Sequence, residues 1–318
     1  MDRQFQFESW YFDCRKLNYL MELRKHQFPT SSLCFNVYEY IGDIAEHVID
    51  AEKQIWSYES KGLQGDFSWV PLQIDSIDFS APNHLLPVLQ EIQLSQSAVI
   101  WVYRDKLDYV VPEGAPATDV LHSLYVDGVR MVGDECQLHI HDMFPEYKGW
   151  VRADCIVASI EGMSKDYYYA ELLKYEKNHS LHIERLPLWQ AFSADILQLN
   201  NDFSAYEKFL DIQADWNERY GSHEEACHFL GDTWSFLAGS RYLTQQFLQW
   251  IGYEGPVLDR LNEYVRKALI IRNFYLKSLY SGKKTSDSIE AIIREIALVD
   301  EQALTLLKQL PTDWRGPN

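Results

Sequence analysis

The chain has 318 residues, is 47% hydrophobic and 14% aromatic, and carries a formal net charge of −18 at pH 7. That content buries a sizeable core and excludes a globally disordered chain. So acidic a balance excludes wrapping nucleic acid and disfavours electrostatic docking on an anionic membrane.

The length suits two domains or one large one. The five cysteines are Cys14, Cys34, Cys136, Cys155 and Cys227, and no two are spaced as C-x-x-C. An odd number without that spacing fits a reducing cytoplasm better than a disulfide framework or a zinc knuckle. Met1 leads into Asp2, Arg3 and Gln4, which does not read as a secretory signal. No apolar run approaches the ~18 residues of a membrane helix. The expectation is a cytoplasmic protein.

Residues 1–13 read as aromatic and irregular, with Phe5, Phe7, Trp10, Tyr11 and Phe12. A helix then starts at Cys14, with Asp13 in the N-cap position and Leu17, Leu20, Met21 and Leu23 following at helical spacing. A thiol at a helix N-terminus meets the positive end of the macrodipole and unpaired N–H groups, which favour thiolate. The structural alternative is a small buried hydrophobe, the usual fate of a free cysteine.

Residues 31–41 read as a strand or short buried element, 43–60 as ambiguous, and 66–74 as extended. Pro82 opens a helix to about Leu94, and Ala98–Tyr103 is an apolar strand. A Pro- and Gly-rich loop, Val111–Ala117, delivers the chain to Leu121–Asp142, two strands joined at Gly133-Asp134-Glu135. Residues 143–150 read as a turn and 153–160 as a short helix. Helices are predicted at 165–177, 187–200, 202–218, 222–251, 256–280 and 285–310, with Gly252, Gly255-Pro256 and Ser281-Gly282 between the last three.

His122 opens the first strand of the hairpin and Asp142 closes the second, so the fold of the hairpin brings them together. An imidazole held by a carboxylate is the orienting half of a catalytic triad, and Cys14 is the candidate nucleophile. A turn centred near Asp134 sets His122 opposite about position 145 rather than 142, so a bulge or twist must absorb the difference. His139 and His141 share a strand face and form a rival, metal-binding pair. Two histidines at this spacing are a weak signal without a carboxylate or third histidine to complete the set, so two polar residues on a solvated face is the preferred reading. No glycine-rich phosphate loop and no G-x-S-x-G elbow is present.

These residues carry a resemblance. The apolar strand Val99–Tyr103, the Pro112–Pro116 loop, His122, Gly128, Asp142 and Pro145 in the following turn resemble the corresponding segment of the butirosin biosynthesis protein H-like family. Residues 185–310, including Gly239-Ser240-Arg241-Tyr242, are similar to its helical C-terminal region. The resemblance implies an α+β protein: a papain-like domain over residues 1–165 and an all-helical domain over 166–318.

It also implies an acyltransferase of natural-product assembly. The acyl group would come from a phosphopantetheine thioester on an acyl or peptidyl carrier protein and pass to a small-molecule amine, with no other cofactor and no metal. By the family pattern Cys14 is nucleophile, His122 base and then acid, and Asp142 orienter. The chain departs from the pattern at Ser31–Ile41, in place of a glycine-rich stretch, and at Met143, in place of Pro. Glu8 stands where papain-like enzymes carry an oxyanion-binding Gln, Gln6 being the nearest substitute. A peptidase or amidohydrolase on the same fold, and a non-catalytic scaffold of a biosynthetic complex, are the alternatives. Arg260, Arg266, Lys267, Arg272 and Lys277, with Lys283 and Lys284, form a locally basic stretch suited to an acidic carrier protein.

Overall fold

The computed structural model describes residues 3–64, 70–90, 96–110, 120–143, 146–176, 183–219, 221–281 and 287–311. In chain order its elements are α1 (Arg3–Tyr11), α2 (Cys14–Lys25), α3 (Ile41–Ile44), β1 (Leu72–Asp78), α4 (Leu85–Gln90), β2 (Gln96–Tyr103), β3 (Leu121–Val132), β4 (Glu135–Met143), β5 (Glu146–Arg152), α5 (Ala153–Ile160), β6 (Tyr169–Tyr175), α6 (Arg185–Gln198), α7 (Ala205–Arg219), α8 (His223–Trp250), α9 (Pro256–Ser281) and α10 (Asp287–Lys308). This is the expected mixture of helix and antiparallel sheet with a helical C-terminal part. No helix among the described residues is long and apolar enough to cross a membrane.

Packing gathers the chain into two units, and neither is one continuous piece. Cys14–Phe28 and Gly65–Leu181 form one; Met1–Asp13, Pro29–Gln64 and His182–Asn318 form the other. The division at residue 165 drawn from sequence follows chain order, whereas the units interleave along the chain.

The first unit is built on a six-stranded sheet in the order β1-β6-β2-β3-β4-β5, antiparallel at every pairing. β2 lies between β6 and β3, so both of its edges are paired. Its run of Ala98-Val99-Ile100 is fully buried, as a central strand demands. Ile100, Val102, Leu124, Val126, Leu138 and Ile140 pack with Leu85 and Leu89 of α4 and Ile156 and Ile160 of α5. Each such side chain contributes about 1.5–3 kcal/mol on leaving water. The β3–β4 connection is tight because Gly133 takes φ +63°, with nothing near where a Cβ would sit.

Three expectations are corrected. Residues 3–11 form a helix rather than irregular chain, because Phe7 and Tyr11, one turn apart, are both buried. Residues 146–152 form β5, pairing along β4 from Met143–Glu146 to Gln137–Arg152, where a turn was expected. Residues 169–175 are strand β6, not part of a helix. Ala170-Glu171-Leu172-Leu173 has good helix formers, but the segment fills the slot between β1 and β2, and pairing on both sides overrides local propensity. Residues 30–34 make a 3₁₀ turn and 41–50 a short helix running on with π geometry. The Val111–Ala117 loop, Pro145 and Lys283-Lys284 lie outside the described residues.

The second unit is helical. Ser222 caps the N-terminus of α8, its Oγ accepting from the Glu225 N–H at 3.1 Å. The Gly239-Ser240-Arg241 run of α8 has structural work here. A Cβ at Gly239 would meet the Phe7 carbonyl oxygen at 2.8 Å, so only glycine lets α1 approach so closely. Ser240 Oγ donates to Val37 O at 2.6 Å and accepts from Glu39 N at 3.0 Å. Arg241, fully buried, makes a two-pronged pair with Asp300 of α10, both contacts at 2.8 Å, and its guanidinium lies over the Tyr38 ring. Tyr38 and Tyr206 donate to the same carboxylate at 2.7 and 2.8 Å. A buried ion pair persists only when its remaining atoms are satisfied in this way.

Candidate active site

The hairpin register places His122 and Asp142. Near the turn Gly128 faces His139, but the next pair is Val126 with Ile140, and Asp127 is left between them as a bulge. Beyond the bulge, even-numbered residues of β3 share a face with even-numbered residues of β4. Side chains alternate strictly along a strand, so without the extra residue every one of them would change sides. His122 and Asp142 thus end on one face as diagonal neighbours, with His122 Nε2 2.8 Å from Asp142 Oδ1. The looseness expected of the register is taken up by this one residue.

Both side chains are buried, the Asp142 carboxylate completely. Tyr109 donates its hydroxyl to Asp142 Oδ2 at 3.0 Å. The Tyr109 ring stacks on Tyr147, at 4.1 Å between centroids. Tyr147 in turn is the direct cross-strand partner of Asp142. Tyr109 has its own hydroxyl pKa pushed well up, by burial first and then by the Asp142 charge. It escaped the sequence reading, since a tyrosine after a strand has no spacing that points at a carboxylate thirty residues on.

Cys14 is the first residue of α2, as expected, and is partly exposed; Cys34 and Cys227 are buried. α2 is held to the sheet by polar contacts along its length. Asn18 Nδ2 donates to Ser123 Oγ at 3.0 Å, and Tyr19 OH to Glu171 Oε2 at 2.6 Å. Arg15 pairs with Glu171, and Ser97 Oγ donates to the fully buried Glu22 at 2.7 Å. Each partner is a directional contact, so together they fix the rotation and slide of the helix that carries Cys14.

The imidazole of His122 reports how these groups combine. Burial works against its charged form, but hydrogen bonding to Asp142 and to Cys14, with the charge of both, outweighs burial and pushes its pKa up to about 9. With Nε2 committed to Asp142, Nδ1 is the ring nitrogen left to exchange a proton with the sulfur. The three residues singled out from sequence are brought together.

Glu8, read as the residue in the oxyanion position, is buried on α1 with Oε1 accepting from Gln4 Nε2 at 3.0 Å, and Gln6 is exposed. Of the basic residues on α9, Arg260 pairs with Glu263 and Lys267 with Glu263 and Glu295. Arg272 donates to Ser235 and lies over Trp10. Much of that basic charge is therefore met within the unit.

No protein-family model matches the sequence. A curated relative from Niallia circulans is 24% identical over 320 residues, covering 98% of this chain and 91% of that protein. It is a ribostamycin:4-(gamma-L-glutamylamino)-(S)-2-hydroxybutanoyl-(BtrI acyl-carrier protein) 4-(gamma-L-glutamylamino)-(S)-2-hydroxybutanoate transferase. The chain resembles the butirosin biosynthesis protein H-like family. The likeness runs through both units, and takes in the hairpin, α2 and the α8 segment that binds Asp300. The relative is a transferase acting on an acyl group delivered by a carrier protein.

Proposed function

We propose that this protein is a cysteine-dependent acyltransferase with a papain-like arrangement of Cys14, His122 and Asp142. Its acyl donor is a thioester on an acyl or peptidyl carrier protein and its acceptor is the amine of a small molecule in natural-product assembly. The observation that carries this reading is a partly exposed thiol at a helix start acting on an imidazole that a buried carboxylate holds at 2.8 Å. The relative's named reaction supplies the donor class.

In this mechanism Cys14 sulfur attacks the thioester carbonyl, and the carbon–sulfur bond to the carrier's pantetheine arm breaks. The departing thiolate takes a proton from Nδ1 of His122, leaving acyl-Cys14 and a neutral imidazole. The acceptor amine then attacks the acyl carbon while Nδ1 takes up its proton. Cys14 leaves as the sulfur anion beside the protonated ring, so the pair regains the proton it gave to the carrier's thiol. Asp142 keeps the ring oriented and stabilises its charge. Backbone N–H groups at the start of α2, where the helix itself supplies no carbonyl partner, are donors suited to the developing oxyanion, a role Glu8 is unsuited to because it carries the same charge.

Intact mass spectrometry after incubation with acyl-carrier thioesters tests the reading. The expected result is an adduct of acyl mass on the wild type, mapped to Cys14, absent from Cys14→Ala, and discharged by an amine acceptor. Discharge by water alone would make the protein a hydrolase. No adduct with any carrier thioester, together with unchanged biological activity in Cys14→Ala, would make it a scaffold.

A further inference from the structure

The bulge that aligns His122 with Asp142 carries a second constellation, which acyl transfer leaves unused. Asp127 Oδ1 lies 2.5 Å from His139 Nδ1, and its Oδ2 lies 3.2 Å from His141 Nε2. The three donor atoms fall within 4.8 Å of one another. The strand pattern alone assigns the two histidines no carboxylate partner. The bulge supplies one from the neighbouring strand, twelve residues back.

Two further observations point to a ligand. His141 Nε2 is buried with an Asp127 carboxylate oxygen 3.2 Å away, and it makes no well-formed hydrogen bond there. The three side chains are also between 17% and 22% exposed, enclosed enough to hold an ion and open enough to admit one. They are walled by rings, Trp150 against His139 at 5.0 Å and Tyr125 against His141 at 5.5 Å. Gly128 makes room for that wall, since a Cβ there would meet His139 Cβ and the Trp150 ring at 3.2 Å each.

We propose that Asp127, His139 and His141 form a binding site for a divalent transition-metal ion, zinc in particular. Two imidazoles and a carboxylate suit zinc; calcium and magnesium take all-oxygen sets. Zinc–ligand bonds of ~2.0–2.2 Å put tetrahedral donors about 3.4 Å apart, so the ion enters between Asp127 and His139 with a shift of under about 1 Å. Three protein ligands leave a fourth position for water or an exogenous ligand. The exposed Lys148, cross-strand partner of His141, and Arg130, whose guanidinium lies over the Trp150 ring, are nearby cations an incoming ion must contend with. Residues 139 and 141 point to the face of β4 opposite Asp142, so the site is separate from the candidate triad. A bound ion ties β3 to β4 at the residue on which the His122–Asp142 alignment depends.

Cobalt(II) titration of the full chain, read by visible absorption, with zinc competition, tests this. One equivalent should bind with d–d bands of nitrogen and oxygen ligation and without thiolate charge transfer, and zinc should displace it. Affinity should fall at least tenfold in each of Asp127→Asn, His139→Gln and His141→Gln, folding being checked by circular dichroism. Zinc should raise the thermal midpoint of the wild type and of none of the three. Absence of binding to the wild type, a thiolate band placing the ion on a cysteine, or wild-type affinity in folded His139→Gln and Asp127→Asn would each overturn the proposal.

Discussion

His122 and Asp142 meet at 2.8 Å because Asp127 is one residue too many for the β3–β4 ladder. The imidazole and its carboxylate are therefore aligned by a backbone irregularity five residues from one of them and fifteen from the other. The pair sets the first prediction. Its folded pKa of about 9 lies above the ordinary value of 6.5. The stabilisation from the charged ring is complete below pH 6.5 and is lost as the pH rises through 9. That difference is worth about 3 kcal/mol. Denaturant unfolding at pH 6 and pH 10 should show the loss in the wild type and not in His122→Gln. In Asp142→Asn the His122 resonance should titrate well below 9 by NMR, and acyl transfer should fall by about 10²–10⁴-fold.

Thiol labelling gives the second. At neutral pH iodoacetamide should modify Cys14 before the other four cysteines. Cys34 and Cys227 are buried, and burial raises the Cys227 pKa. Cys155 is partly exposed like Cys14, but burial and the nearby Asp108 and Asp154 push its pKa up to about 11. Peptide mapping after partial alkylation checks the order; preferential labelling of Cys155 or Cys136 would count against Cys14 as the activated thiol.

Tyr109→Phe removes one donor to Asp142 and leaves the stacking on Tyr147 intact. A hydrogen bond to a charged group is worth about 1.5–3 kcal/mol, so turnover should drop by roughly 10- to 100-fold with unchanged acceptor binding. A change in the acceptor's KM alone would assign Tyr109 to substrate binding instead.

The helical unit is tested at Asp300. Asp300→Asn leaves Arg241 buried with a neutral partner and should cost about 3–5 kcal/mol, measured by denaturant unfolding. Gly239→Ala forces apart α1 and α8 at a 2.8 Å approach and should destabilise by about 1–3 kcal/mol. A loss under 0.5 kcal/mol in both would mean that this region tolerates rearrangement.

The parts legible in sequence were those with strong local periodicity. The helix from Cys14, the strand ending at Tyr103, the hairpin and the long C-terminal helices all appear near their expected places. β6 was misread because what makes Tyr169–Tyr175 a strand is its two neighbours, β1 and β2, and neither is local. The same holds for Tyr109, for the Asp127 carboxylate and for the Glu22, Ser97 and Tyr125 cluster, whose members come from three separate elements. His122 and Asp142 were found because a hairpin is the one long-range contact that sequence spells out directly.

The interleaving of the two units has a consequence for how the chain is made. The peptide crosses from one unit to the other at residues 13/14, 28/29, 64/65 and 181/182. A ribosome releases Met1–Asp13 and Pro29–Gln64 long before their partners in His182–Asn318 exist. The sheet cannot close until β6 emerges, since β6 joins β1 to β2. A fragment ending at residue 165 would lack that strand and would carry two orphaned stretches of the helical unit. Folding therefore waits on synthesis of the His182–Asn318 stretch, and the chain offers evolution no simple cut at which the sheet unit could be traded between proteins.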